Sequence, residues 1–69
     1  MTGGRITIDV RETATRTYVG LEWRNGLLSM RADINSEQDV QRAHRMAEEL
    51  RAPLHITDRA REMLEVRKG

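Results

Sequence analysis

Sixty-nine residues make one small domain, whose core stays marginal because a chain of this size buries only about 60% of its unfolded surface. The absence of cysteine excludes disulfides and thiolate metal sites, and twelve basic against eleven acidic residues, interleaved to a net charge of +1, fit neither a nucleic-acid polycation nor an acidic DNA mimic. No segment approaches the ~20 apolar residues of a transmembrane helix and the start is too polar for a signal peptide, so a soluble protein of the cytoplasm is expected.

The residue usage is uneven. Eleven of the twelve basic residues are Arg, which reflects either a GC-rich genome or planar guanidinium forks at an interface. Phe is absent and Tyr18 and Trp23 are the only aromatics, so the core must be aliphatic and Met-filled.

In chain order, Met1 to Gly4 reads as a loose start. Arg5 to Arg11 alternates strictly, with Ile6, Ile8 and Val10 on one face, and predicts a half-buried strand. Glu12 to Arg16 is polar and reads as a loop. Thr17 to Arg24 alternates again, with Val19, Leu21 and Trp23 inward. Asn25-Gly26 then predicts a type I′ hairpin turn, since that turn needs positive φ at both central residues. Leu27 to Ile34 returns with Leu28, Met30, Ala32 and Ile34 inward. A turn at 25–26 pairs Trp23 with Leu28, Leu21 with Met30 and Val19 with Ala32. It sets Glu22 opposite Ser29, Gly20 opposite Arg31 and Tyr18 opposite Asp33 on the outward face.

Ser36 to Arg51 is the longest periodic stretch. Val40, Ala43, Ala47 and Leu50 form one apolar stripe, widened by Met46, and the two alanines imply close approach to the surface beneath. Ser36 is placed to cap the first turn, with Asp39 giving a shortened capping box. Glu37 and Asp39 at one end and Arg51 at the other complement the helix dipole, and Pro53 stops the helix. Leu54-His55-Ile56 is either a fourth strand or an extended connector. Thr57 or Asp58 caps a second helix running to about Arg67, with Ala60, Met63 and Leu64 as its apolar face, Val66 to one side and Arg67-Lys68 at its end. The fold class is therefore α+β in the order β-β-β-α-(β)-α: a three-stranded antiparallel meander covered by one long helix and a short C-terminal one, in a single domain over 1–69 with loose ends at 1–4 and 68–69.

Catalytic patterns are weak. His44 and His55 lie eleven residues apart without cysteine to complete a zinc set, and they read as an edge-of-core and a connector imidazole. Ser29 is mid-strand and Ser36 is a cap, so neither suits a nucleophile. Gly3-Gly4 and Gly26 do not form a phosphate loop, because no strand–glycine-loop–helix arrangement surrounds them. No enzyme activity, metal or cofactor is expected.

The outward sheet face displays Arg5, Arg11, Arg24 and Arg31 among Thr7, Tyr18, Ser29 and Leu27. Three strands followed by a helix, over roughly residues 5 to 51, resemble in outline the DNA-binding domains of plant AP2-type factors and of phage integrase arm-binding domains. The resemblance implies a sheet face inserted in the major groove. Asp9, Glu22 and Asp33 on that face depart from it, since carboxylates facing phosphates cost affinity. Arg11, Tyr18, Arg24, Leu27 and Arg31 also have the composition of a protein interface. The leading expectation is a small module that inhibits or regulates a larger protein or ribonucleoprotein complex by occupying its surface. In size and style it is similar to phage-encoded inhibitors of bacterial defence such as anti-CRISPR proteins. The alternative is a DNA-binding domain using the same face, and open sheet edges make a homodimer a further option.

Overall fold

The computed structural model describes residues 3–68. Its elements are β1 (Arg5–Glu12), β2 (Thr17–Asn25), β3 (Leu28–Ile34), α1 (Glu37–Leu50), β4 (Leu54–Ile56) and α2 (Asp58–Lys68). Met1, Thr2 and Gly69, expected to be loose, lie outside the described residues, as do the side chains of Arg67 and Lys68. The α+β class and the element order are those that the hydrophobic periodicity predicts.

Leu54 to Ile56 is a true strand. It pairs in parallel with β1, placing Leu54 beside Ile6 and Ile56 beside Ile8, so the sheet order is β3-β2-β1-β4. Of the two alternatives for this stretch, the strand is the one that forms, and it covers the edge of β1. Backbone bonds fix both ends of the join: Ile6 N–H donates to the Pro53 carbonyl at 2.9 Å and Thr57 N–H to the Ile8 carbonyl at 3.0 Å.

The core forms where the alternating strands meet the alanine stripe. Ile6, Ile8 and Val19 are fully buried, with Leu21, Ile34, Val40, Ala43, Ala47, Ala52 and Ala60 around them. Trp23, Met46, Leu50, Met63 and Leu64 pack at the margin. Replacing one of the fully buried isoleucines by Ala would cost about 2–5 kcal/mol, a large part of the stability of so small a domain.

The hairpin corrects the expected register. Asn25 pairs with Leu28, so the two-residue turn is Gly26-Leu27 rather than Asn25-Gly26, and Leu27 belongs to the turn rather than to β3. Gly26 has φ of 61°, whereas Leu27 is not among the residues of positive φ. That is the pattern of a type II′ turn, which needs glycine only at its first central position. The slip is two residues, so every side chain keeps its face. Its consequence is a change of neighbours: Trp23 meets Met30, Leu21 meets Ala32 and Val19 meets Ile34, while outside Arg24 meets Ser29, Glu22 meets Arg31 and Gly20 meets Asp33.

A second correction concerns coverage. Leu28, Met30 and Ala32 face the core side of the sheet as predicted, yet all three are exposed and only Ile34 of β3 is buried. With β4 added beside β1, the middle of the sheet lies at β1 and β2. The helices centre there: α2 lies against β1 and β2, and α1 comes close to β4. A groove stands between α1 and the far strand, and it leaves the core-side residues of β3 open.

The ends of α1 also differ from expectation. The Ser36 side chain makes no capping bond; its carbonyl instead accepts from Asp39 and Val40 N–H. The Asp39 carboxylate does reach back, but to Asn35 N–H at 2.9 Å, one residue before the expected position. At the other end Arg51 adopts the left-handed conformation (φ 53°, ψ 43°). Its N–H donates to the Glu48 carbonyl and that of Ala52 to the Ala47 carbonyl, the two bonds of a Schellman motif built without glycine. At the start of the chain, the Gly3 carbonyl accepts a 2.9 Å bond from the Trp23 indole. A side chain at Gly4 (φ 89°) would collide with the Arg24 carbonyl, so this approach requires glycine.

Candidate functional site

The five residues singled out as partner-binding separate into two groups. Arg11 and Tyr18 are direct cross-strand neighbours at one end of the outward face, and both are engaged internally. The Arg11 side chain lies over Gly20, where a β-carbon would come within 3.1 Å of its Cδ and Nε, and runs on to Glu22 at 3.8 Å. Its Nε is buried without a hydrogen-bond partner. A glycine inside a strand pattern signals such a close approach, so the feature was legible in the sequence. Tyr18 carries the Arg16 guanidinium 4.5 Å above its ring. Thr13 closes the β1–β2 turn that places Arg16 there, its Oγ1 accepting from Arg16 N–H and its own N–H donating to the Arg16 carbonyl.

The carboxylates that counted against DNA on this face are each paired with arginine. Glu22 takes Arg11 and Arg31, the latter at 3.2 Å; Asp33 takes Arg16 at 3.7 Å; Asp9 takes Arg59 at 3.0 Å. The corrected register makes the Glu22–Arg31 contact possible, since those two residues are directly opposite.

Asp9 has a role that its place in the β1 pattern does not reveal. It reaches past the end of β4 and accepts from Thr57 Oγ1 at 2.7 Å, from Arg59 Nη2 and from Val10 N–H. Thr57 Oγ1 in turn accepts from Ala60 N–H and so caps α2. The Thr57 and Arg59 bonds hold the Asp9 carboxyl well below its ordinary value, at about 2. Asp9 is thus a clamp on the β4–α2 junction, and the 48-residue separation from Thr57 hides it from local sequence patterns.

Arg24 and Leu27, with Arg31 farther along β3, belong to the β2–β3 hairpin. Arg24 is exposed and directly opposite Arg5, also exposed; neither takes a carboxylate among the described residues. Adjacent like charges are mildly unfavourable, by a few tenths of a kcal/mol or more. At the tip Leu27 is 105% exposed and Leu28 64%. Leu28 is a residue that the inward pattern assigned to the core.

Concave regions flank the long helix. A cleft of about 290 Å³ between the helices is lined by Val40 and His44 of α1, by Ile56 and by Arg61, Leu64 and Glu65 of α2. His44 is exposed at its rim rather than at the edge of the core, and His55 is exposed on β4 opposite Thr7. A groove of about 270 Å³ separates β3 from α1, with Met30, Ala32, Ala43 and Met46 along it and Asp39 and Arg42 at its lip. Among the described residues no group of three or more His, Asp or Glu is placed to hold a metal ion, and no helix is long and apolar enough to cross a membrane. Compared with protein-family models, with curated proteins and with solved structures, the chain matches none of them.

Proposed function

We propose that this chain is a non-enzymatic protein-binding module that blocks or regulates a larger protein or ribonucleoprotein complex, meeting it in the cytoplasm through the tip of the β2–β3 hairpin. The observation that carries the reading is exposed Leu27 at the tip, close in the hairpin to Arg24 and its cross-strand partner Arg5, two outward cations left without carboxylates among the described residues; exposed Leu28 extends the apolar tip toward the other face. An exposed leucine at a tip flanked by arginines gives an apolar anchor with a charged rim, the composition of an interface hot spot. The partner patch would be apolar and rimmed with acid. Inhibition by surface occupation, as practised by phage-encoded inhibitors of bacterial defence, suits a chain of this size. Within the sheet face Arg11 and Tyr18 serve the fold, and Arg31 contributes only at the margin of the contact.

The DNA-reading alternative has less to work with, because the remaining outward arginines of β1 and β3, Arg11 and Arg31, already face Glu22. One experiment separates the two. The tagged chain is used to capture partners from nuclease-treated host lysate, alongside a Leu27→Ser/Leu28→Ser variant and an Arg5→Glu/Arg24→Glu variant. The expected result is a stoichiometric protein complex held by the wild type, lost by both variants at unchanged melting temperature, and weakened only modestly between 50 and 200 mM salt, where phosphate-driven binding would fall by a factor on the order of 10³. Capture unaffected by both variants would overturn the hairpin-tip reading. Recovery of nucleic acid alone, with that steep salt dependence, would transfer the surface to DNA binding.

A further inference from the structure

The open edge of β3 presents a second surface, and its observations are independent of the hairpin tip. β3 is seven residues long, contains no proline, lysine or glycine, and nothing among the described residues pairs with its free side. Natural proteins blunt such edges or use them. On its core face Met30 is 43% exposed and Ala32 is exposed, and both border the groove against α1.

We propose that this edge pairs antiparallel with β3 of a second copy, making one continuous eight-stranded sheet with a two-fold axis at Ala32. The register follows from three constraints. Asn25 and Leu28 close a two-residue turn, so Leu28, Met30, Ala32 and Ile34 direct their backbone groups to β2, and Ser29, Arg31 and Asp33 direct theirs to the open edge. To keep apolar faces together, residues of like parity must oppose each other. Centring on Arg31 would set that arginine against its own copy, which is unfavourable. Centring on Ala32 instead sets Arg31 opposite Asp33 of the second copy, twice by symmetry, with both backbone bonds exchanged in each pair. Arg31 and Asp33 are exposed enough to do so, their side chains being 70% and 53% accessible.

The axis then carries the smallest apolar side chain of the strand. Ala32 opposes Ala32 of the second copy in a non-hydrogen-bonded pair, where Cα atoms approach to about 4.5 Å. Met30 lies across from Ile34 of the second copy, and the two grooves beside α1 merge under the new sheet. Pairing ends before the turn, so the two hairpin tips stay free at opposite ends of the dimer. A core this small gains from such an extension.

The test uses the intact chain in two ways. Because the protein contains no cysteine, Ala32→Cys introduces a single thiol at the proposed axis, within the Cα separation that a disulfide spans. Mild oxidation should convert it to a covalent dimer roughly tenfold or more faster than an Ala14→Cys control, an exposed position on the β1–β2 turn, because pairing raises the effective thiol concentration. In parallel, light scattering across concentration should give dimer mass for the wild type and monomer for Arg31→Asp. The double variant Arg31→Asp/Asp33→Arg should return to dimer, with thermal melts confirming the fold of each. Equal oxidation rates for the two thiols, or a wild type that stays monomeric at every concentration, would overturn the proposal while leaving the hairpin-tip reading intact. Dimers that persist in Arg31→Asp would place self-association elsewhere and overturn it equally.

Discussion

The Asp9 clamp can be tested by substituting one atom. Asp9→Asn keeps a carbonyl oxygen for Thr57 Oγ1 or Val10 N–H but turns an amide toward Arg59, ending the 3.0 Å ion pair. Hydrogen bonds to a charged acceptor contribute about 1.5–3 kcal/mol and a partly exposed pair under 1, so the net loss at pH 7 is about 1–2 kcal/mol. For a domain of this length that is a drop of roughly 4–16 °C in Tm. The pH dependence follows from the sign of the shift. Asp9 is lowered from 3.8 to about 2 in the folded protein, so its carboxylate stabilises the fold above pH ~4, and this contribution is lost as pH falls through 2. Its size, discounted for solvent screening at a side chain 29% accessible, is about 1 kcal/mol. Urea denaturation of wild type and variant between pH 7 and pH 2 is the assay. The stability gap should narrow by about that amount between pH 4 and pH 2. Equal stability at pH 7, or a gap constant across the range, would refute the clamp.

Arg51→Gly should stabilise the protein by about 0.5–1 kcal/mol, because relief of the left-handed penalty exceeds the extra entropy of glycine in the unfolded chain; a lowered Tm would show that Arg51 makes contributions beyond its backbone. Ser36→Ala should cost only a few tenths of a kcal/mol instead of the ~1 typical of a working cap, since the hydroxyl makes no capping bond. Asp39→Ala should cost more than Ser36→Ala, about 0.5–1 kcal/mol, by releasing Asn35 N–H; thermal melts of the two variants side by side decide their order.

The sequence by itself determined the elements and the faces. Alternation in β1 and β2, the glycine of the hairpin and the alanine stripe of α1 are local patterns, and each carries its own physics of period, turn geometry and close packing. Even the misplaced turn did not disturb the faces, because a two-residue slip preserves parity. What only the tertiary structure decided depends on residues far apart in the chain. Parallel pairing of Leu54–Ile56 with β1 moved the centre of the sheet, and that shift, invisible in β3 itself, left Leu28, Met30 and Ala32 uncovered. The same junction drew Asp9 from the solvated face to Thr57 and Arg59. The corrected pairing brought Glu22 opposite Arg31 and separated the arginines into those neutralised within the sheet and the pair, Arg5 and Arg24, that is not. Periodicity tells a side chain which way to point; whether anything lies in that direction is set by the layers that pack there.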